Sequence, residues 1–249
     1  MSKLPNAPLR EAIFEIRWAL QPDETTSFME DPEYAFALGE LKKVVSNRFP
    51  LHSSKFKNRV PHHMLNHQVD HQFWTGADEE SKWPVIQLGP GILTVNDTDK
   101  NYDWLENYKP NIDFALKALT EAYKQIKIES LTLRYIDAVL LKDYDCEGWQ
   151  DFLGKNVNFS FINNFDSIGP LDDFHFEQSF NLDKLGSLNI SFSSGKSPKK
   201  EDTFVWQTAV SSDNSMAIED VLIWLEDAHK CTSKLFKEIC KDSFYASFS

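Results

Sequence analysis

The apolar residues of this chain recur with a period of two, then about 3.6, then two again, and they run through that order twice. From Leu9 to Leu20 the chain alternates. Ala12, Phe14, Ile16, Trp18 and Leu20 fall on one side, and Glu11, Ile13, Glu15 and Arg17 on the other. That pattern predicts a strand with one face in a core. Tyr34, Ala37, Leu38, Leu41, Val44 and Val45 then repeat at helical spacing, with Asp31 as N-cap, Pro32 at the first helical position and Pro50 as the stop. The stretch 52–66 is weakly patterned and reads as a loop or a short turn of helix, and His71 to Thr75 reads as a strand. Val85 to Leu88 and Ile92 to Asn96 flank a reversal at Gly89-Pro90-Gly91. Pro110 opens a second helix carrying Ile112, Leu116, Leu119, Tyr123 and Ile126 on one side.

The second pass begins with a long strand, Ile128 to Leu141, and a short helix, Cys146 to Leu153. Three strands follow, Phe174 to Leu182, Leu188 to Ser193 and Phe204 to Val210, the first two joined by the turn residues Asp183 to Gly186. A long helix from Met216 to Lys241 closes the chain, with Ile218, Leu222, Leu225, His229, Thr232 and Phe236 on one side. The order β-α-β-β-β-α thus occurs in 1–127 and again in 128–249. It predicts an α+β fold in which two such halves form one mostly antiparallel sheet packed on long helices, as a single compact unit.

Composition narrows the function classes. The 249 residues, 41% of them hydrophobic, suffice for a core without disulfide or metal staples. With 26 basic and 38 acidic residues the formal net charge is −12, which counts against nucleic acid as a partner. The basic runs Lys196, Lys199, Lys200 and Lys55, Lys57, Arg59 read as solvated loops. The three cysteines are odd in number and form no CxxC pair, so a disulfide framework is not expected. The first residues, Met1 to Asn6, lack an apolar signal core, and no run of about 18 apolar residues occurs, so a cytoplasmic protein without a membrane span is expected.

Three segments carry a resemblance. The opening Leu4-Pro5-Asn6-Ala7-Pro8-Leu9-Arg10-Glu11-Ala12-Ile13-Phe14-Glu15-Ile16-Arg17, the central Leu133-Arg134-Tyr135-Ile136-Asp137 and the tail Leu225-Glu226-Asp227-Ala228-His229 with Phe236 resemble, in order and spacing, a sporadically distributed family of uncharacterised bacterial proteins of about this length. Asp137 stands where that family usually has asparagine, which touches any role needing a neutral amide there. The family carries no activity to transfer. Its patchy distribution is compatible with an accessory partner in a defence-linked or mobile gene cluster.

Candidate sites fall into two groups. In the segment from Pro61 to His71, a helix would set His63, His67 and His71 at i, i+4 and i+8 on one face, a spacing that can chelate zinc or iron, with Asp70 orienting a ring. A histidine-rich polar loop is the competing reading, and no HExxH motif is present. On the strands of the second half, His175, Glu177, Ser179 and Asn181 alternate with apolar residues, as do Ser187, Asn189, Ser191 and Ser193. With Gln207 they make a polar sheet face that can line a ligand groove, meet a partner, or simply be solvated. Arg134 calls for a carboxylate, with Glu11 and Glu15 available, and reads as a structural ion pair ahead of a ligand-binding arginine. His229 reads as a satisfied core histidine.

No GxSxG, kinase set or phosphate loop occurs. The sequence therefore points first to a binding or adaptor protein that needs no cofactor and recognises a protein or small ligand on an open sheet face. A metal-dependent enzyme using His63, His67 and His71 is the alternative, and nucleic-acid binding a second one.

Overall fold

The computed structural model describes residues 4–23, 27–56, 60, 62–76, 82–160, 169, 171–212 and 214–249, and of His62 and His63 it describes the backbone alone. The fold is α+β, with antiparallel strands and helices. Its residues gather into two compact units. Unit 1 holds 1–10, 134–210 and 226–249, and unit 2 holds 11–133 and 211–225.

In unit 2, β1 (Leu9–Trp18) is followed by the two-residue strands β2 (Gln21–Pro22) and β3 (Met29–Glu30), helix α1 (Tyr34–Val45), β4 (Leu51–Ser54), a 3-10 turn (His62–Leu65), β5 (His71–Trp74), β6 (Val85–Gly89) and β7 (Ile92–Asp97). A π-helical turn (Trp104–Tyr108) leads into α2 (Lys109–Ala122), and β8 (Ile128–Leu140) begins here. The strands lie in the order β4-β5-β6-β7-β1, each neighbour pair antiparallel. The alternation in β1 is realised: Ala12, Phe14, Ile16 and Trp18 are buried, while Ile13, Glu15 and Arg17 are half-buried. Helix α1 buries Tyr34, Ala37, Leu41 and Val45, one stripe of a helical repeat.

Asp31 does not cap α1. The helix starts later, with Glu33 in the N-cap position and no side-chain cap. The Asp31 carboxylate is instead a buried hub, whose Oδ2 accepts from the Trp18 indole at 3.0 Å, the Gly91 amide at 3.1 Å and the Tyr123 hydroxyl at 2.7 Å. Burial of three donors around one anion outweighs a single cap contact on an exposed helix end. The same anion, added to burial, drives the Tyr123 hydroxyl far above its ordinary pKa. The stretch read as a loop from residue 52 also holds β4, whose His52, Ser53 and Ser54 show no apolar alternation.

In unit 1, the rest of β8 leads through a 3-10 turn (Leu141–Asp143) to α3 (Trp149–Asn156), β9 (His175–Leu182), β10 (Gly186–Lys196) and β11 (Asp202–Ser212), and the chain ends in α4 (Val221–Ile239) and α5 (Asp242–Ala246), with residues 211–225 of β11, α4 and their connection counted in unit 2. The strands lie in the order β8-β11-β10-β9, so β9 is the edge among the described residues. Here the core is aromatic. Phe204 lies 5.1 Å from Phe152, 6.0 Å from Phe192 and 5.2 Å from Trp206 between ring centroids, and Phe244 packs at 4.9 Å on Phe248. Such pairs add to plain area burial by about 0.5–1.5 kcal/mol each. The long final helix of the sequence reading forms as α4, from Val221 to Ile239; Cys240 then bridges Val157, and α5 follows beyond the expected helix. Along α4 the buried residues are Val221, Trp224, Leu225, Ala228, Thr232 and Ile239. Among the described residues no helix is long and apolar enough to cross a membrane.

Candidate functional site

The polar face expected on the second-half strands is on one side of the unit 1 sheet. Antiparallel register sets His175 opposite Ser193, Glu177 opposite Ser191 and Ser179 opposite Asn189. The other side is fixed by Phe192 and Phe204, which stack in the core. Strand alternation therefore turns Asn189 and Gln207 away from that core, onto the side of His175 and Glu177. On β9, His175, Glu177, Gln178, Ser179, Phe180 and Asn181 are all exposed, and the Ser179 hydroxyl donates to Asn189 Oδ1 at 2.5 Å. The remaining amides, hydroxyls and the Glu177 carboxylate present both donors and acceptors outward.

Unit 2 has a polar face too, and it is closed. Gln87, Thr94 and Asn96 alternate with Ile86, Leu88, Leu93 and Val95, yet all are buried. One hydrogen-bonded chain joins them. Lys82 Nζ donates to Gln72 Oε1 at 3.2 Å, Gln72 Nε2 to Gln87 Oε1 at 2.8 Å, Gln87 Nε2 to Asn96 Oδ1 at 3.1 Å, and Asn96 Nδ2 to Glu11 Oε1 at 2.7 Å. It runs from a cation to an anion with each amide donating forward, so it is satisfied from within. The backbone approaches closely beside it. A Cβ on Gly89 would stand 1.8 Å from the Gln68 carbonyl oxygen.

The histidine segment is not helical, which removes the premise of a metal triad. Residues His62–Leu65 form a 3-10 turn, His67 adopts a left-handed backbone with φ 55°, and His71 begins β5. The side chain of His63 lies outside the described residues. His67 Nδ1 is 3.1 Å from the Gly91 carbonyl oxygen. His71 Nδ1 is 2.8 Å from His52 Nε2, and its Nε2 is 3.2 Å from Asp70 Oδ2. Both ring nitrogens of His71 are thus engaged within the protein. The expected link between Asp70 and a ring exists, but the ring's other partner is a second imidazole. Among the described residues no group of three or more His, Cys, Asp or Glu side chains is placed to hold a metal ion.

Arg134 is exposed on β8, so the burial that would demand a carboxylate does not arise. Glu15 pairs with Arg17 at 2.7 Å, and Glu11 accepts from Asn96. Asp137 is the buried carboxyl of that strand, at 4% exposure. Burial pushes its carboxyl up to about 8, against a smaller pull downward from Arg10, so it is protonated at neutral pH. Burial therefore gives this aspartic acid the neutrality of an asparagine. Arg10 reaches the Ala138 carbonyl oxygen at 3.1 Å, and the Ala138 amide donates to the Pro8 carbonyl at 2.9 Å. The Tyr135 hydroxyl meets His229 Nδ1 at 3.0 Å. Parts of all three resemblance-bearing segments thus converge on the second half of β8. Burial raises all three cysteine thiols, Cys240 to about 12, which disfavours thiolate nucleophiles.

Sequence reasoning missed His52 as the second partner of His71, and the amide chain. The signal for the last was present, since Gln87, Thr94 and Asn96 interrupt runs read as simply apolar with a period of two. No family model, curated protein or solved structure matches the chain.

Proposed function

We propose that the chain is a binding or adaptor protein that recognises a protein or small ligand on the polar face of β9, β10 and β11. The observation that carries this reading is that His175, Glu177, Ser179 and Asn181 stand exposed on an edge strand, with hydrogen-bonding groups directed outward. Edge strands of this length are templates for further pairing unless they are blunted, and β9 carries only two ionisable side chains in eight residues. Arg134, on the exposed side of β8, is proposed as a peripheral contact.

We further propose that the fold arose by duplication of a β-α-β-β-β-α half. In support, β5-β6-β7-β1 and β9-β10-β11-β8 have the same connectivity, with each leading strand beside the last strand of its own meander. β4 is an addition to the first half.

Purification of the tagged chain from its native host tests the binding reading. A stoichiometric partner is expected with the wild type and is lost with the combined Glu177→Lys and Asn189→Ala variant. A wild-type chain always recovered alone, or a partner indifferent to both substitutions, contradicts it.

A further inference from the structure

Four side chains of unit 2 form a directed chain with a cation at one end and an anion at the other. Lys42 Nζ on α1 is 3.3 Å from His52 Nδ1 on β4, His52 Nε2 is 2.8 Å from His71 Nδ1 on β5, and His71 Nε2 is 3.2 Å from Asp70 Oδ2. The Ser54 hydroxyl donates to the other carboxylate oxygen at 2.7 Å. The protonation state follows from the ends. An ammonium only donates, so His52 Nδ1 accepts. The His52 proton is then on Nε2 and is given to His71 Nδ1, and the His71 proton is on Nε2 and is given to Asp70. Both rings are neutral, with their tautomers set in series. The rings lie nearly coplanar, 9° apart, and His52 also packs on Phe73 at 4.7 Å.

We infer that this chain is a proton-operated latch, in which uptake of one proton at His52 Nδ1 expels Lys42 and breaks the side-chain tie between helix α1 and β4. A protonated Nδ1 is a donor and cannot accept from an ammonium, so two cations would face each other at 3.3 Å. The new charge is held by the far end of the chain. The Nε2 proton moves to His71 Nδ1, His71 becomes the imidazolium, and it sits against the Asp70 carboxylate. His52 then keeps a proton on Nδ1, so Lys42 stays out wherever the charge rests. The groups facing the pair are Lys42 and, through Asp70, Tyr34 from α1, Ser54 from β4, and Asp70 ahead of β5. Burial, Lys42 and His71 depress the His52 pKa, with Asp70 opposing them, so the latch is closed at neutral pH and opens below the ordinary imidazole range.

Nitrogen-15 NMR of the full chain between pH 8 and pH 4.5 tests this, reading the His52 and His71 ring nitrogens and the Lys42 Nζ resonance. At high pH, His52 is expected as the Nε2–H tautomer. On acidification, Lys42 Nζ should shift with the same midpoint as His52 Nδ1. The surface substitution Lys42→Met should raise that midpoint by about half a pH unit or more, and Asp70→Asn should lower it by a similar amount. A His52 ring protonated on Nδ1 at pH 8, a Lys42 resonance that ignores the His52 midpoint, or a midpoint unmoved by Lys42→Met would each overturn the latch. A merely structural hydrogen bond would not tie the lysine signal to the histidine titration.

Discussion

The two units solve the same problem in opposite ways. Each has strands whose side chains alternate between a core face and a polar face. In unit 2 the polar side chains bond one another from Lys82 to Glu11, with Gln87, Thr94 and Asn96 buried; in unit 1 those of β9 stand exposed on its outer strand. Alternation in the sequence therefore does not say whether a polar face is a recognition surface. What decides is whether its donors and acceptors are already used. Carboxamides suit the closed face because each has both a donor and an acceptor and can pass a chain onward, while on the open face the Ser179 hydroxyl makes a single cross-strand bond to Asn189.

The largest effect expected to break this contrast is Gly89→Ala in unit 2. A Cβ there meets backbone at 1.8 Å, and backbone cannot swing aside, so a loss of about 3 kcal/mol or more is expected in denaturant unfolding. Second is Asp137→Asn in unit 1. The wild-type carboxyl is raised from 3.8 to about 8, so the native state holds a proton that the unfolded chain has released. Wild-type stability then falls as pH rises from about 4 to about 8. The asparagine variant lacks that slope. It should be the more stable protein above pH 8, by several kcal/mol, with the advantage vanishing near pH 4. Third, the depressed His52 pKa makes the unfolded state the better proton binder in mild acid, so stability should fall as pH drops from about 6.5 through the native value. Lys42→Met should make that slope shallower in thermal unfolding at matched pH values. The smallest effect is Gly195→Ala on β10, where a Cβ would make only ordinary contacts of 3.7 and 3.8 Å, and unfolding free energy should change by no more than about 0.5 kcal/mol in denaturant titration.

Much of the fold was legible because one pattern sufficed. In β1 every second residue is apolar, and Gly89-Pro90-Gly91 marks the turn between β6 and β7. The failures share a cause, which is that distant partners overrode local signals. Asp31 has the chemistry of a helix cap, but Trp18, Gly91 and Tyr123, remote in sequence, claim its carboxylate. β4 has no apolar alternation, since His52 and Ser54 face a polar chain built from α1, β5 and Asp70. The metal reading took spacing for geometry. His67 lies in a left-handed turn and His71 in a strand, so a spacing of four places no common face. Among the proposed face residues, His175, Glu177, Asn189 and Gln207 were readable together because strand parity alone groups them.

The most direct measurement is a paired alanine comparison across the two faces, Gln87→Ala against Asn189→Ala, by denaturant unfolding of the full chain. Gln87 is the junction of the closed chain, and its loss strips the half-buried Gln72 amide of its acceptor and the buried Thr94 and Asn96 of one donor each. The expected cost is about 2–4 kcal/mol, whereas Asn189 on the open face should cost under about 0.5 kcal/mol. Equal losses at the two positions, or a larger loss at Asn189, would contradict the division into a face that is satisfied within the protein and a face left for recognition.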